Sequence, residues 1–162
     1  MSTETPSLVV ADIPATAKVA VVAARFNASL VEELLAGCLR RLQALQLDKS
    51  RIVVHRVPGA FELPVAAKAL AQRKAFSAII ALGAVVRGDT PHFEYVAGEC
   101  ARGLQQVAIS EGVPVLFGVL TTNTHEQAVE RIGGKHGHAG ERAADAAVEM
   151  IALLARINGV RG

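Results

Sequence analysis

Charge is scarce in this chain: only 20% of its 162 residues are Asp, Glu, Lys or Arg, and the net charge is +2. The basic residues are scattered rather than clustered, which argues against a nucleic-acid groove. An isoelectric point near 8.7 suits an anionic small ligand instead. Cysteine is nearly absent too. Cys38 and Cys100 form no C-x-x-C pair and both fall inside helical patterns, so they read as buried, reduced thiols. Long apolar runs are missing. The stretch "AIIALGAVV" is far short of the roughly 20 residues that span a bilayer. The opening "MSTETPSLVVADIP" has no basic n-region and no signal-type apolar block. These absences lead us to expect a soluble cytoplasmic protein with no membrane or nucleic-acid partner. A flexible arm over residues 1–15 would precede a single domain over 16–162.

Apolar content is plentiful, at 51% with a mean hydropathy of +0.35. So apolar a chain with so thin a charged cover is expected to bury part of its surface against copies of itself. Four segments rich in Val, Ile and Leu lack polar alternation: 18–24, 51–57, 77–86 and 114–120. Such runs suit parallel strands covered on both faces. Helical periodicity fills the gaps, over 28–45, 62–73, 92–112, 126–134 and 140–159. Pro64 fits only the first turn of the second helix. The order β-α-β-α-β-α-β-α-α predicts an α/β fold: a four-stranded parallel sheet with helices on both faces.

Ligands of open parallel sheets bind beyond the carboxyl ends of the strands. The four segments that follow the strands are "RFNAS", "PGAFELP", "RGDTPHFEY" and "TTNTHEQ". Phe26 and Phe61 stand out there, because phenylalanine is usually buried and a loop position suits a ligand platform. In the third segment Thr90 is a suitable N-cap and Pro91 a favoured first helical residue. His92 then falls in the first helical turn, whose positive end disfavours imidazolium and leaves the ring suited to act as a base. Backbone amides around Gly88, Asp89 and Thr90 can cradle an anion. The tripeptide Arg87-Gly88-Asp89 also occurs in adhesive loops, but here it lies between a buried strand and a helix. His125, His136 and His138 lack the spacing of a metal-ligand set, so no metal is expected. Arg131 and Lys135 are better placed to hold an anion.

Five motifs in the right order carry a resemblance along nearly the whole chain: "RFN", "VPGAFELP", "LGAVVRGDTPHFEYV", "PVLFGVLTTNTHEQAVER" and "GGKHGHAGERAADAA". Together they resemble the 6,7-dimethyl-8-ribityllumazine synthase family of riboflavin biosynthesis. The resemblance implies a flavodoxin-like three-layer αβα sandwich and a transferase without metal or organic cofactor. It implies condensation of 5-amino-6-(D-ribitylamino)uracil with 3,4-dihydroxy-2-butanone 4-phosphate. It assigns Phe26 to stacking on the pyrimidine, and Ala60, Phe61 and Glu62 to the ribityl chain and ring. Ala84, Val85 and Val86 would meet the pyrimidine edge through backbone groups. Gly88, Asp89 and Thr90 would form the phosphate-side loop, with His92 transferring protons. Phe117 and the phosphate-binding Arg131 would come from a neighbouring subunit of a homopentamer, with a sixty-subunit shell as the larger alternative.

One motif departs from the family pattern. Gly137-His138-Ala139-Gly140 stands where the family often has Gly-Asn-Lys-Gly. Lys135 or His138 is a candidate to replace the missing lysine. Two rival readings remain: a non-catalytic flavin- or pterin-binding module, and a structural shell protein of the same fold.

Overall fold

A computed structural model describes residues 12–159. The main elements are β1 (Val19–Ala24), α1 (Ala28–Ala44), β2 (Ile52–Val57), α2 (Leu63–Gln72), β3 (Ala78–Val86), α3 (His92–Glu111), β4 (Val115–Thr122), α4 (His125–Val129), β5 (Ile132–Gly134), β6 (Gly137–His138) and α5 (Ala139–Ile157). Strands β1 to β4 form one parallel sheet in the order β2-β1-β3-β4. Helices α1 and α5 cover one face, and α2 and α3 the other. This is a flavodoxin-like α/β sandwich.

The two cores follow from the period of two in the central strands. In β1, Val19, Val21 and Ala23 enter the α1/α5 core, while Ala20, Val22 and Ala24 enter the α2/α3 core. Strand β3 divides likewise, with Ile80, Leu82 and Ala84 on one side and Ile79, Ala81 and Val85 on the other. Both strands need apolar side chains at every position, which explains the continuous runs in the sequence. Helix α1 contributes Leu30, Leu34, Cys38 and Leu42, all almost fully buried. Burying one such leucine contributes about 1.5–3 kcal/mol. Burial also pushes the two thiols up, Cys38 to about 12 and Cys100 to about 11. Both cysteines are unpaired and inert at neutral pH.

Three expectations need revision. Strand β2 is not buried on both faces: it is an edge strand, and Val53, Val54, His55 and Arg56 are exposed. Strand β4 is the opposite edge and leaves Phe117 46% exposed. The helix expected over 126–134 ends at Val129, and an antiparallel hairpin, β5–β6, follows. Glycines explain the break. Gly133 and Gly137 have φ of 109° and 74°, and a Cβ on Gly134 would lie 2.7 Å from the Glu130 Cα.

Of the expected N-terminal arm, residues 1–11 lie outside the described residues, as do residues 160–162. Ile13 packs against the α1/α5 core. The Pro14 carbonyl accepts from Arg51 Nη2 and from the Ala17 backbone N–H, both at 2.9 Å. Among the described residues no helix is long and apolar enough to cross a membrane.

Candidate active site

The connections from β1 and from β3 leave toward opposite edges of the sheet, which opens a crevice between the carboxyl ends of these two strands. A cleft of about 700 Å³ occupies this place, within the usual range for small-molecule sites. Phe26 and Asn27 line it from the end of β1, and Pro58 to Glu62 from the end of β2. Ala84, Val85 and Val86 come from β3, and Gly88, Thr90, His92, Phe93, Tyr95 and Val96 from the loop and first turns of α3.

Phe26 is held by main-chain bonds that extend the β1–β2 ladder: Arg25 N–H to the Val57 carbonyl at 2.9 Å and Phe26 N–H to the Pro58 carbonyl at 3.0 Å. Phe26 is 72% exposed. Asn27 follows in the left-handed region, with φ 58° and ψ 47°, a conformation asparagine tolerates better than most residues. Its side chain leaves α1 uncapped and donates instead to the Ala84 carbonyl at 2.8 Å. That bond links the first loop to the floor of the cleft.

The floor has free edges. Strand β1 pairs with β3 only as far as Ala23 opposite Leu82. From Gly83 to Val86, β3 pairs with β4 alone. Backbone groups of its last residues therefore face the cleft without a β1 partner, a disposition suited to hydrogen bonding a flat heterocycle.

Residues Ala60–Glu62 form a short 3-10 turn leading into α2. The Gly59 N–H donates to Glu62 Oε2 at 2.8 Å. This bond fixes the carboxylate at the wall and occupies one oxygen only. Phe61, in the same turn, is 56% exposed.

On the far wall, α3 starts at His92 with Pro91 as its cap residue, one position later than expected. The Thr90 hydroxyl accepts from the His92 backbone N–H at 3.4 Å. His92 is exposed. Asp89 lies in the loop between Gly88 and Thr90 and is not among the lining residues. A Cβ on Gly88 would meet no heavy atom within 4 Å.

Arg87, whose structural part the sequence did not reveal, organises this rim. Its backbone N–H donates to the Thr122 carbonyl at 2.9 Å, and its Nε to Asn123 Oδ1 at 2.9 Å. Its Nη1 pairs with Glu94, and its guanidinium lies 4.2 Å from the centre of the Phe93 ring. One side chain thus joins the end of β3, the first turn of α3 and the β4–α4 loop. The Arg87 hydrogen bond, with the Glu94 backbone N–H, holds the Glu94 carboxyl below its ordinary value. Phe93, Tyr95 and Val96 were also passed over in the sequence, where they read only as helix.

Two expected site residues stand apart from the cleft of this single chain. Phe117 is on β4, and Arg131 follows α4; neither lines it. Arg131 is half-buried, with Nη1 donating to the Gln127 carbonyl at 2.7 Å. The candidates to replace the missing lysine also separate. Lys135 is exposed and pairs with Glu130 at 3.1 Å. His138 is turned into the fold, where its ring packs against Gly37 and Gly140, so it does not take the place of a surface cation. His136 lies 3.6 Å from Glu130. Among the described residues no three His, Cys, Asp or Glu side chains stand together as a metal site.

The fold, the crevice and the ordered loops agree with a match over residues 16–155 to the family model described as 6,7-dimethyl-8-ribityllumazine synthase, and the chain belongs to that family.

Proposed function

We propose that this chain condenses 5-amino-6-(D-ribitylamino)uracil with 3,4-dihydroxy-2-butanone 4-phosphate, giving 6,7-dimethyl-8-ribityllumazine, phosphate and water. The observation that carries this reading is the cleft itself. Two exposed phenylalanines, a fixed carboxylate and a histidine meet there beside unpaired strand-end backbone.

In this reading Phe26 stacks on the pyrimidine. Its ring already stands out in water, so stacking exchanges an exposed apolar face for a buried one. Backbone groups of Val85 and Val86 bind the pyrimidine edge, while Ala84 contributes to the floor with its carbonyl already engaged by Asn27. The free oxygen of Glu62 accepts from ribityl hydroxyls, and Ala60 and Phe61 wall that chain. The space at Gly88 admits the phosphate, and the amides of Asp89 and Thr90 contact it.

The uracil brings its own amine, so no lysine of the protein needs to form the imine. Imine formation is followed by loss of phosphate, attack of the ribitylamino nitrogen and dehydration. The protein's largest contribution is orientation of two partners, about 7–11 kcal/mol in favourable cases. Proton transfer at His92 adds roughly 10²–10⁴-fold.

Phe117 and Arg131 enter the cleft from a neighbouring copy in a ring of five, or in a sixty-subunit shell. A head-to-tail contact of this kind closes into a ring. Arg131 then stabilises the phosphate as it leaves. The reaction uses no metal or organic cofactor, and the protein works in the cytoplasm.

Mixing the protein with both substrates tests the reading. Fluorescent lumazine forming faster than the uncatalysed background is expected. Tight binding of the uracil without faster product formation supports the binding-module rival instead. A large assembly with neither property supports the shell rival.

A further inference from the structure

The ring of His138 sits in a glycine-lined seat. A Cβ built on Gly37 of α1 would fall 2.1–2.6 Å from three ring atoms, so the imidazole lies directly on the helix backbone. Gly140 closes the other side: its own Cβ would lie 3.1 Å from His138 Cε1 and 2.1 Å from the Leu34 carbonyl oxygen. No side chain fits at either glycine without moving the ring or the two helices apart.

Within this seat His138 caps α5. Its Nδ1 accepts from the Glu141 backbone N–H at 3.4 Å. A nitrogen that accepts carries no proton, so the neutral ring holds its hydrogen on Nε2. The first turn of α5 is fastened to α1 again by Arg40 and Glu141 at 2.7 Å.

The same turn holds the hairpin that follows Arg131. His138 pairs with Ile132 across β5–β6. The Ala139 N–H donates to the carbonyl of Arg131 itself at 2.8 Å. Arg142 Nη1 donates to the His136 carbonyl at 2.9 Å. The backbone of Arg131 is therefore one hydrogen bond from the residue next to His138.

We propose that His138 is a positioning residue for Arg131: its neutral imidazole, seated between Gly37 and Gly140, locks the β5–β6 hairpin to α1 and so fixes the arginine that takes the substrate phosphate. This rests on the function proposed above. Protonation replaces the Nδ1 acceptor with a donor facing the Glu141 N–H and puts a positive charge at the positive end of α5. The lock then opens, and Arg131 loses its fixed backbone.

The charges around the ring set the pH range. Glu33 and Arg40 face it from α1, and Glu141 and Arg142 from α5; the hairpin offers Gly133. Burial is the largest influence and pushes the imidazole below its ordinary value of 6.5. The seated form is therefore complete above that pH and is lost as the pH falls through the lowered value.

The test follows KM for the phosphorylated ketone from pH 8 down to the lowest pH at which the protein stays folded, in the native protein and in His138→Asn. Asparagine keeps an N-cap acceptor and does not titrate. The substrate phosphate and every group other than residue 138 are common to both assays, so the ratio of the two profiles isolates His138. The wild-type KM is expected to rise on acidification by about fivefold more than that of His138→Asn, the size of one lost N-cap, with any extra fall in kcat the smaller effect. Parallel KM profiles overturn the proposal, as does an effect confined to kcat. Hydrogen–deuterium exchange over residues 130–142 of the unmutated assembly, corrected for intrinsic rates, supplies a readout that needs no activity. Protection is expected at pH 8 and loss of it at the acid end of that range, and equal protection throughout overturns the lock. Absence of turnover alongside that exchange change removes the proposed function and with it Arg131's role, but leaves the lock standing.

Discussion

The N-terminal end of α1 and its body face opposite demands. At its N-terminal end, beside the cleft, Phe26 is 72% exposed and Asn27 holds a left-handed backbone without capping the helix. Along its body, α1 packs against α5 so closely that Gly37 and Gly140 leave no room for a methyl group. The first region keeps apolar surface and hydrogen-bonding backbone uncommitted; the second commits everything. Proteins expose unsatisfied apolar groups where something is to bind and close every gap where the fold must hold.

Breaking the closed side should give the largest effect. Gly140→Ala drives a methyl group into the Leu34 carbonyl, and we expect a loss of at least about 3 kcal/mol, read as a fall in melting temperature. A change under about 0.5 kcal/mol would mean the two helices separate freely. Breaking the open side should leave stability alone and act on chemistry. His92→Ala is expected to lower kcat by about a hundredfold, near 2.7 kcal/mol in barrier, with melting unchanged. A loss beyond about 10⁵-fold would mean that proton transfer outweighs orientation. Phe26→Ala should raise the Michaelis constant for the aminouracil about tenfold, at the upper end of what one aromatic stack contributes, and should not change melting. Destabilisation there would mean that Phe26 is a structural residue.

The smallest effect is electrostatic and returns to the closed side. The Arg40 hydrogen bond holds the Glu141 carboxyl below its ordinary value of 4.5. The folded protein therefore gains from this pair above the unfolded value and loses the gain as the pH falls through the lowered one. Glu141 is 38% exposed and Arg40 63%, so screening limits Glu141→Gln to about 0.5 kcal/mol at pH 7. The difference from wild type should shrink toward zero in acid. A difference that persists there would point to packing rather than charge.

Much of this was legible in the sequence because strands β1 and β3 are apolar at every position, and only a sheet covered on both faces demands that. The loops after them could be read for the same reason, since parallel topology puts strand ends on one rim. Strand β2 misled because "IVVHRV" satisfies β propensity whether central or at an edge, and which of the two depends on neighbours. The fourth helix was overextended because the spacing in "EQAVERI" is helical, while the glycines that end it act through φ and close contact. The bracing roles of Asn27 and Arg87 were not legible because their partners, Ala84 and Asn123, are 57 and 36 residues away. His138 looked like a stand-in cation because a sequence does not show that Gly37 of another helix lies beneath it.

The most direct test of the account asks whether one protomer supplies the cleft and another the phosphate-binding cation. His92→Ala and Arg131→Ala chains are co-assembled in equal amounts and assayed at ketone concentrations below the wild-type KM. If the site is shared, random mixing restores activity to about one quarter of wild type, because one site in four then pairs an intact cleft with an intact arginine. Activity equal to the mean of the two parent variants would place both residues in the same protomer and contradict the account.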